Sequence, residues 1–324
     1  LKKQEYEYSL AKFKLQKIEQ EILLAAAEAH ADLLLSRKKV NINKVNIDLL
    51  ERQVETEKDK LEKGEISLTD LAQSEASLAG AEAKLITAQN NLISSKANFE
   101  KIVGKKFTGN IQDIKFTSFR LPQSLAEAYK ISENENPDLK IAMLEHMKSV
   151  EDVRIAKSDL APSATLSYKL AEQDDFSSAV QERKQQTLKA TATWPLYSGG
   201  NNLSSLKKAK ELENKYNLLY ADSKKTVSTS VANAWSSYQS SKSVLNSIRS
   251  QVKAAEIANE GITLEYESGA GNRTTLEVIQ SRSILLNSRI DLATSEKDFL
   301  VSRFNVLSAV GRLTAKHLNL AENN

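Results

Sequence analysis

The second half of this chain repeats the first. Leu1, Lys2 and Lys3 recur as Leu206, Lys207 and Lys208, an offset of 205 positions. At that offset Ala27 and Ala29 fall on Ala232 and Ala234, and His30 falls on Trp235. Beyond residue 268 the offset becomes 207, so that "DLAQSEASL" (70–78) lies on "EVIQSRSIL" (277–285). Leu85 then meets Leu292, Gly64 meets Gly271, and "VGK" (103–105) meets "VGR" (310–312). The second copy carries two extra residues at its turn, in "ESGAGNR" (267–273). Two copies of one supersecondary unit bury their apolar faces by packing against each other or against further copies.

The period inside each copy is helical. Val40, Ile47, Val54 and Leu61 recur every seven residues; Leu245, Ile248, Val252, Ala255, Ile262 and Tyr266 follow the alternating three–four spacing of a coiled-coil seam, which Asn259 interrupts. The spacing predicts a long arm, a tight glycine turn and a return arm in each copy. Helices are expected over about 1–62 and 67–103, and over about 200–266 and 273–310. An arm of ~62 residues is on the order of 90 Å long. The plain reading is two helical hairpins packed as a coiled coil, and such hairpins lack a core of their own, so oligomerisation is expected. Composition agrees: aromatics are 6%, and the chain has only 10 glycines and 4 prolines. Ala, Leu, Glu, Lys, Gln and Ser, all compatible with long helices, dominate.

Between the copies the pattern changes. Ser124 and Glu127 after Pro122 predict a capped short helix over about 124–132. Asn136 and Pro137 mark a second helix start, running to about Leu160 and stopping at Pro162. The period then becomes two. In 162–170, Ser163, Thr165, Ser167 and Lys169 alternate with Ala164, Leu166, Tyr168 and Leu170. In 187–194, Thr187, Lys189, Thr191 and Thr193 alternate with Leu188, Ala190, Ala192 and Trp194. These are two strands, each near the ~9–11 residues that a membrane strand needs. "AEQDDFSSAVQERK" (171–184) between them is polar and reads as a loop. One strand face is small and polar, the other apolar with Tyr168 and Trp194 as interface aromatics, the pattern of a transmembrane barrel with a wet lumen. A soluble hairpin beside the helices is the other reading of the same pattern. In "TWPLYSGGNN" (193–202), Pro195 ends the second strand because it cannot donate to a ladder. Gly199 and Gly200 let the chain turn into the long helix, with Asn201, Asn202 or Ser204 as its cap.

Several function classes find no support in the residues. Lys+Arg at 45 against Asp+Glu at 42 gives no reason to expect nucleic acid. Cysteine is absent, which removes disulfides and thiolate chemistry. His30, His146 and His317 have no metal-type spacing, and His30 reads as packing on an apolar helix face. "GKK" at 104–106 lacks the rest of a phosphate-binding loop. No enzymatic chemistry and no cofactor or metal is expected. The longest apolar run, "ILLAAAEAHADLLL" (22–35), is too short for a spanning helix and contains Glu28, His30 and Asp32.

With these features in order, "NPDLKIAMLEHMKSVEDVRIAKSDLAPSATLSY" (136–168) followed by "WPLYSGG" (194–200) resembles the repeat signature of TolC-like outer-membrane efflux proteins. "EKGEISLTDLAQSEASL" and "GAGNRTTLEVIQSRSIL" are similar to that family's periplasmic helix tips. The resemblance covers almost the whole chain. It implies a mainly α fold, with long antiparallel helical hairpins forming a coiled-coil tunnel and a β-hairpin contributing to a trimeric transmembrane β-barrel. It further implies a homotrimer in the outer membrane of a Gram-negative bacterium with a long periplasmic extension. The duct is passive and serves a tripartite efflux or type I secretion system, with a periplasmic adaptor, an inner-membrane pump and outer-membrane lipid as partners. The rival class is a soluble or peripheral coiled-coil scaffold without transport activity, in which 162–196 is a capping hairpin.

The expected organisation follows. Residues 1–105 form the first periplasmic hairpin, 106–136 an equatorial linker, and 137–161 a short helix leading to the barrel. Residues 162–197 form the transmembrane strand pair with its external loop, 198–313 the second periplasmic hairpin, and 314–324 a tail. By the repeat, Leu1 corresponds to Leu206, so the counterpart of 138–205, about 68 residues, is expected ahead of Leu1, with any signal peptide. Leu166, Tyr168, Leu188 and Trp194 are expected to face lipid, and Pro195, Gly199 and Gly200 to form the strand–helix joint. The resemblance implies a gate at the periplasmic entrance built from polar links and acidic rings. Its residues here are Thr69 and Asp70 in the first hairpin and Arg273 and Glu277 in the second. Gln280 stands where the family pattern often has another acid. An Arg273-to-carboxylate bond between neighbouring hairpins is expected to hold the tips together, and three copies of a carboxylate around one axis favour cations in the pore.

Overall fold

The computed structural model of the chain describes residues 1–107, 120–177, 180–269 and 273–318, and side chains outside 174–183. The linker's 108–119, the turn residues 270–272 with Gly271, and the tail's 319–324 lie outside the described residues. The elements run α1 (Lys2–Glu62), α2 (Leu68–Val103), α3 (Leu125–Glu135), α4 (Pro137–Ser158), β1 (Ser163–Ser177), β2 (Val180–Thr193), α5 (Asn201–Ser268) and α6 (Thr275–Val310). The four long helices fall within two residues of their predicted limits, as a sustained seven-residue repeat should allow. The short α3 runs three residues past the predicted end at 132. It starts where expected, with the Ser124 Oγ accepting the Glu127 amide. Asn136 caps its far end, and Pro137 opens α4. None of the described helices is long and apolar enough to cross a membrane, which says nothing about strands.

The chain divides into two compact units, residues 1–14 with 137–225 and residues 15–136 with 226–324. In the first, the start of α1 is tied to α4 by Lys3–Asp152 at 2.6 Å and Lys148–Glu7 at 3.0 Å. His146 stacks on Tyr220 of α5. The strand pair belongs to this unit.

β1 and β2 are antiparallel, with Tyr168 opposite Leu188, Leu166 opposite Ala190, and Thr165 opposite Thr191. The ladder continues through Glu172–Lys184 to Asp174–Glu182, so the loop expected over 171–184 is strand for most of its length. The error has a physical cause. Strand pairing uses backbone groups, and polar side chains do not oppose it where they find cross-strand partners, as Lys184 finds Glu172 at 2.7 Å.

The second unit holds the hairpin cores. Ile47 and Leu50 of α1 pack on Ala81 of α2, flanked by Leu78 and Leu85. At the opposite end, Phe304, Leu307 and Leu313 gather Leu23, Leu24 and Ala27 of α1 with Leu300. His30 meets the Phe99 ring edge-on, the packing role expected of it. A knot closes this end. The Arg312 guanidinium grips the Glu135 carboxylate at two points, 2.8 and 2.5 Å, and Asn136 Nδ2 donates to the Ala309 carbonyl at 2.8 Å. Gly311 makes the knot possible: its φ is +89°, and a Cβ there would lie 2.5 Å from the Glu135 carbonyl oxygen.

Candidate functional site

The turn from α1 to α2 and the turn from α5 to α6 are built alike, and the repeat explains why. Ser67 ends the first turn in extended conformation, and its Oγ accepts the Asp70 amide at 3.3 Å. Asp70 Oδ2 answers by accepting the Ser67 amide at 3.0 Å and hydroxyl at 2.7 Å. Thr274 and Glu277, both 207 positions on, form the same capping box, with the Thr274 amide donating to Glu277 Oε2 at 2.9 Å. Asp70 is held below the usual carboxylate range by the Ser67 hydroxyl and amide. Glu277 is held down by the Thr274 amide first and by Arg273 second. Both acids sit at helix N-termini, where the helix dipole also favours negative charge.

Arg273 exists only in the second turn; Ile66 holds its place in the first. Its Nε donates to Glu265 Oε2 at 2.6 Å and its Nη1 to Glu277 Oε1 at 3.0 Å. Within the chain Arg273 thus clamps its own hairpin, from the last turn of α5 to the first turn of α6. Glu265 and Glu277 flank the turn, and its reversal brings both within reach of one guanidinium. The two carboxylates raise the Arg273 pKa further. Thr69 and Gln280 are exposed on the same helix starts. The two turns are adjacent: Lys60 Nζ of the first hairpin lies 4.2 Å from the Tyr266 ring centroid of the second. Tyr266 pairs its hydroxyl with Thr275 Oγ1 at 3.0 Å, and burial raises its pKa.

One to three turns from the tips lies a polar layer that the sequence reading missed. Glu57 is wholly buried and accepts from Gln53 Nε2 at 2.9 Å, which also lies 3.2 Å from Ser74 Oγ. Arg282 of α6 reaches across to α1, donating to Gln53 Oε1 at 2.5 Å and the Leu49 carbonyl at 3.3 Å. Burial lowers the Arg282 pKa. The signal was present: Asn43, Asn46, Leu50, Gln53 and Glu57 are spaced three–four as a second seam on α1, and all are buried. A search for apolar periodicity passes over a seam made mostly of amides and a carboxylate.

In the strand hairpin, pairing places Leu166, Tyr168 and Leu188 on one face and Thr165, Ser167 and Thr191 on the other. Both faces are exposed within the chain. Trp194 follows the last residue of β2 and its Nε1 donates to the Leu160 carbonyl at 3.3 Å. Pro195 lies just beyond the ladder. Gly199 and Gly200 both have positive φ, +62° and +81°, which only glycine adopts freely. Asn201, Asn202 and Ser204, expected to cap α5, lie within it, and ahead of it Ser198 Oγ accepts the Asn202 amide at 3.3 Å. Asn202 turns back, donating from Nδ2 to the Asp159 carbonyl at 3.1 Å.

The profile of a family described as "Outer membrane efflux protein" matches residues 128–312. The chain is 25% identical over 307 residues to the outer membrane efflux protein BepC of Brucella suis biovar 1 (strain 1330), covering 93% of this chain and 66% of the relative. It is 23% identical over 327 residues to the outer membrane protein TolC of Escherichia coli (strain K12), covering 94% of this chain and 64% of that protein. The chain thus spans just under two thirds of the length of these relatives. Its coordinates superpose on the outer-membrane channel OprN with TM-score 0.81 at 18% identity, over 95% of this chain and 70% of the channel. They superpose on the open-state MtrE outer membrane channel of Neisseria gonorrhoeae with TM-score 0.80 at 13% identity, over 95% and 70% of the two chains. The fold is that of these channels: long helical hairpins with a small β-hairpin.

Proposed function

The chain belongs to the outer membrane efflux protein family, and from that membership we propose that the protein is a passive exit duct in the outer membrane of a Gram-negative bacterium. It carries small molecules or proteins outward in a tripartite efflux or type I secretion system. An adaptor and an inner-membrane pump supply cargo and energy, and the duct itself performs no chemistry. Three copies assemble it. The observation that carries this reading is the strand pair. A lone two-stranded hairpin is marginal in water. This one extends from Ser163 to Thr193 with an apolar row (Leu166, Tyr168, Leu188) on one face and small polar residues on the other. Membrane strands alternate in this way, and a closed barrel satisfies the free ladder edges. Leu166, Tyr168, Leu188 and Trp194 face lipid, and Pro195, Gly199 and Gly200 turn the chain from barrel into tunnel.

The hairpin tips are the entrance. Around a threefold axis, Asp70 and Glu277 supply rings of carboxylates, with Thr69 and Gln280 as neutral neighbours, so the constriction favours cations. Arg273 offsets part of that charge and ties α5 to α6. In planar bilayers, Arg273→Ser is expected to raise single-channel cation conductance and strengthen block by multivalent cations, because Glu265 and Glu277 lose their counter-charge. A variant that conducts and blocks like the parent would place the constriction elsewhere. A protein that forms no channel at all would refute the duct.

A further inference from the structure

Midway along the hairpins α1, α5 and α6 enclose a crevice of about 510 Å³, the size of a small-molecule site. Its floor is apolar. Leu245 and Ala293 are each 5% exposed, and Leu34, Leu35, Phe299 and Leu300 are half-buried around them. Its wall is basic. Lys38, Lys242, Arg249, Lys297 and Arg303 line it, against Glu296 as the acid among the lining residues. The chain as a whole is nearly balanced, with 45 basic side chains to 42 acidic. The neighbouring crevice between α1, α2 and α6 is walled differently, by amides and hydroxyls such as Asn43, Asn91, Asn98 and Ser94. The excess of cations is therefore a property of this crevice and not of the helix surfaces in general.

The cations are not equivalent. Lys38 is neutralised by Glu296 at 2.8 Å and Lys297 by Asp32 at 3.1 Å. Lys242 and Arg249 stand one heptad apart on the exposed face of α5, with Asn246 between them. Positions three and four apart share a helix face, so the three form a row of donors on successive turns. Among the described residues neither cation of that row has an ion-pair partner. Arg303 adds a charge from α6. Its guanidinium lies 5.9 Å from the Phe299 ring centroid, and burial pushes its pKa down. A cation held partly out of water gains more from a nearby anion than a solvated one does.

We infer that this crevice binds a small amphipathic anion, with a fused-ring or similar apolar body on the Leu245–Phe299 floor and a carboxylate, sulfate or sulfonate against Lys242, Asn246 and Arg249. The apolar floor supplies affinity by burial, and the donor row fixes orientation and selects charge. Such a ligand touches α1 of the first hairpin and α5 and α6 of the second at once. It holds the two hairpins in this arrangement, because a ligand that binds only the packed state stabilises that state. The site needs neither a pore nor a cargo, so it stands or falls apart from the duct.

The test uses naphthalene-2-sulfonate as the probe and the intact, detergent-extracted protein. The 324 residues contain no cysteine, so an introduced thiol reports alone within them. The probe is expected to slow maleimide alkylation of Asn246→Cys saturably. It should leave Ser247→Cys unaffected, since that position lies about 100° further round α5. Adding Lys242→Glu and Arg249→Glu removes two exposed ion pairs and adds two repulsions, so half-protection should need about tenfold more probe. Both positions are exposed, so helix content by circular dichroism should not change. The neutral 2-naphthylmethanol should protect no better than the sulfonate does in that charge-reversed variant. Equal protection at 246 and 247, or equal protection by the alcohol and the sulfonate, would mean simple partitioning and overturn the site. An Asn246→Cys thiol that the maleimide does not reach without probe would show the crevice covered by another chain, which also overturns it. So would a thiol that reacts at the same rate at every probe concentration.

Discussion

Gly311 is the position where one methyl group is expected to do the most damage. Its φ of +89° costs a non-glycine residue about 1–2 kcal/mol. The added Cβ would also stand 2.5 Å from the Glu135 carbonyl oxygen and 2.6 Å from the Asn136 Cα. Both are backbone atoms, so relief requires α3 and α6 to part. Parting them stretches the Asn136–Ala309 hydrogen bond and the two-point Arg312–Glu135 contact. Overpacking of this kind costs about 1–3 kcal/mol. The sum for Gly311→Ala is about 2–5 kcal/mol. Gly104 is the control, because it sits at the repeat-equivalent helix end with φ +73° and nothing within 4 Å of a built Cβ. Gly104→Ala should therefore cost only the backbone part, about 1–2 kcal/mol. Trp235 lies in the same unit as both glycines and Trp194 in the other, so Trp194→Phe leaves a reporter for the unit of interest. Urea unfolding of the solubilised protein by Trp235 fluorescence gives the comparison. Equal losses at Gly104 and Gly311 would show that the contact with α3 contributes nothing.

Three further outcomes are expected. Glu277→Gln keeps a side chain able to close the capping box while removing its charge, so it should weaken multivalent-cation block with little change in amide protection at the start of α6; Glu277→Ala should lose both. Asp70 and Glu277 have folded pKa values below their unfolded ones, so their stabilisation is present above the ordinary carboxylate range and disappears as pH falls through the folded values. Hydrogen exchange, corrected for intrinsic rate, should show the first turns of α2 and α6 fraying below about pH 4 while mid-helix amides stay protected; uniform protection would contradict it. Arg282→Ala and Gln53→Ala should couple, with an interaction energy of about 0.5–3 kcal/mol in a double-mutant cycle, and additive effects would show that the polar layer does not join the hairpins.

Apolar periodicity made the long helices legible, because a seven-residue pattern sustained over tens of residues fits no other element. The strand pair was legible at Leu166, Tyr168 and Leu188, where alternation is clean. It faded over 171–184, where the sequence is mostly polar without clean alternation and only the backbone ladder marks a strand. The seam between the hairpins was hidden for a related reason: Asn46, Gln53 and Glu57 keep coiled-coil spacing but not coiled-coil chemistry. Arg273 shows a different limit. Its type and place suggest an ion pair, but that Glu265 and Glu277 of its own hairpin both lie within its reach follows only from the fold of the turn.

The tip acids read as pore charges, yet "SLTD" (67–70) and "TTLE" (274–277) also spell the start of a helix, each a hydroxyl residue followed three positions later by an acid. The capping box alone accounts for an acid at this position in both copies of the repeat. Position and type therefore cannot distinguish a residue that starts a helix from one that charges a pore. The box consumes one oxygen of Glu277, and the other goes to Arg273. Asp70 has no arginine beside it, since Ile66 stands where the second hairpin has Arg273. If the tips form a ring, its charge is consequently uneven, with three bare carboxylates from the first hairpins alternating with three compensated ones from the second. Cation block should then depend more on Asp70→Asn than on Glu277→Gln, an order that a ring of equivalent acids would not produce.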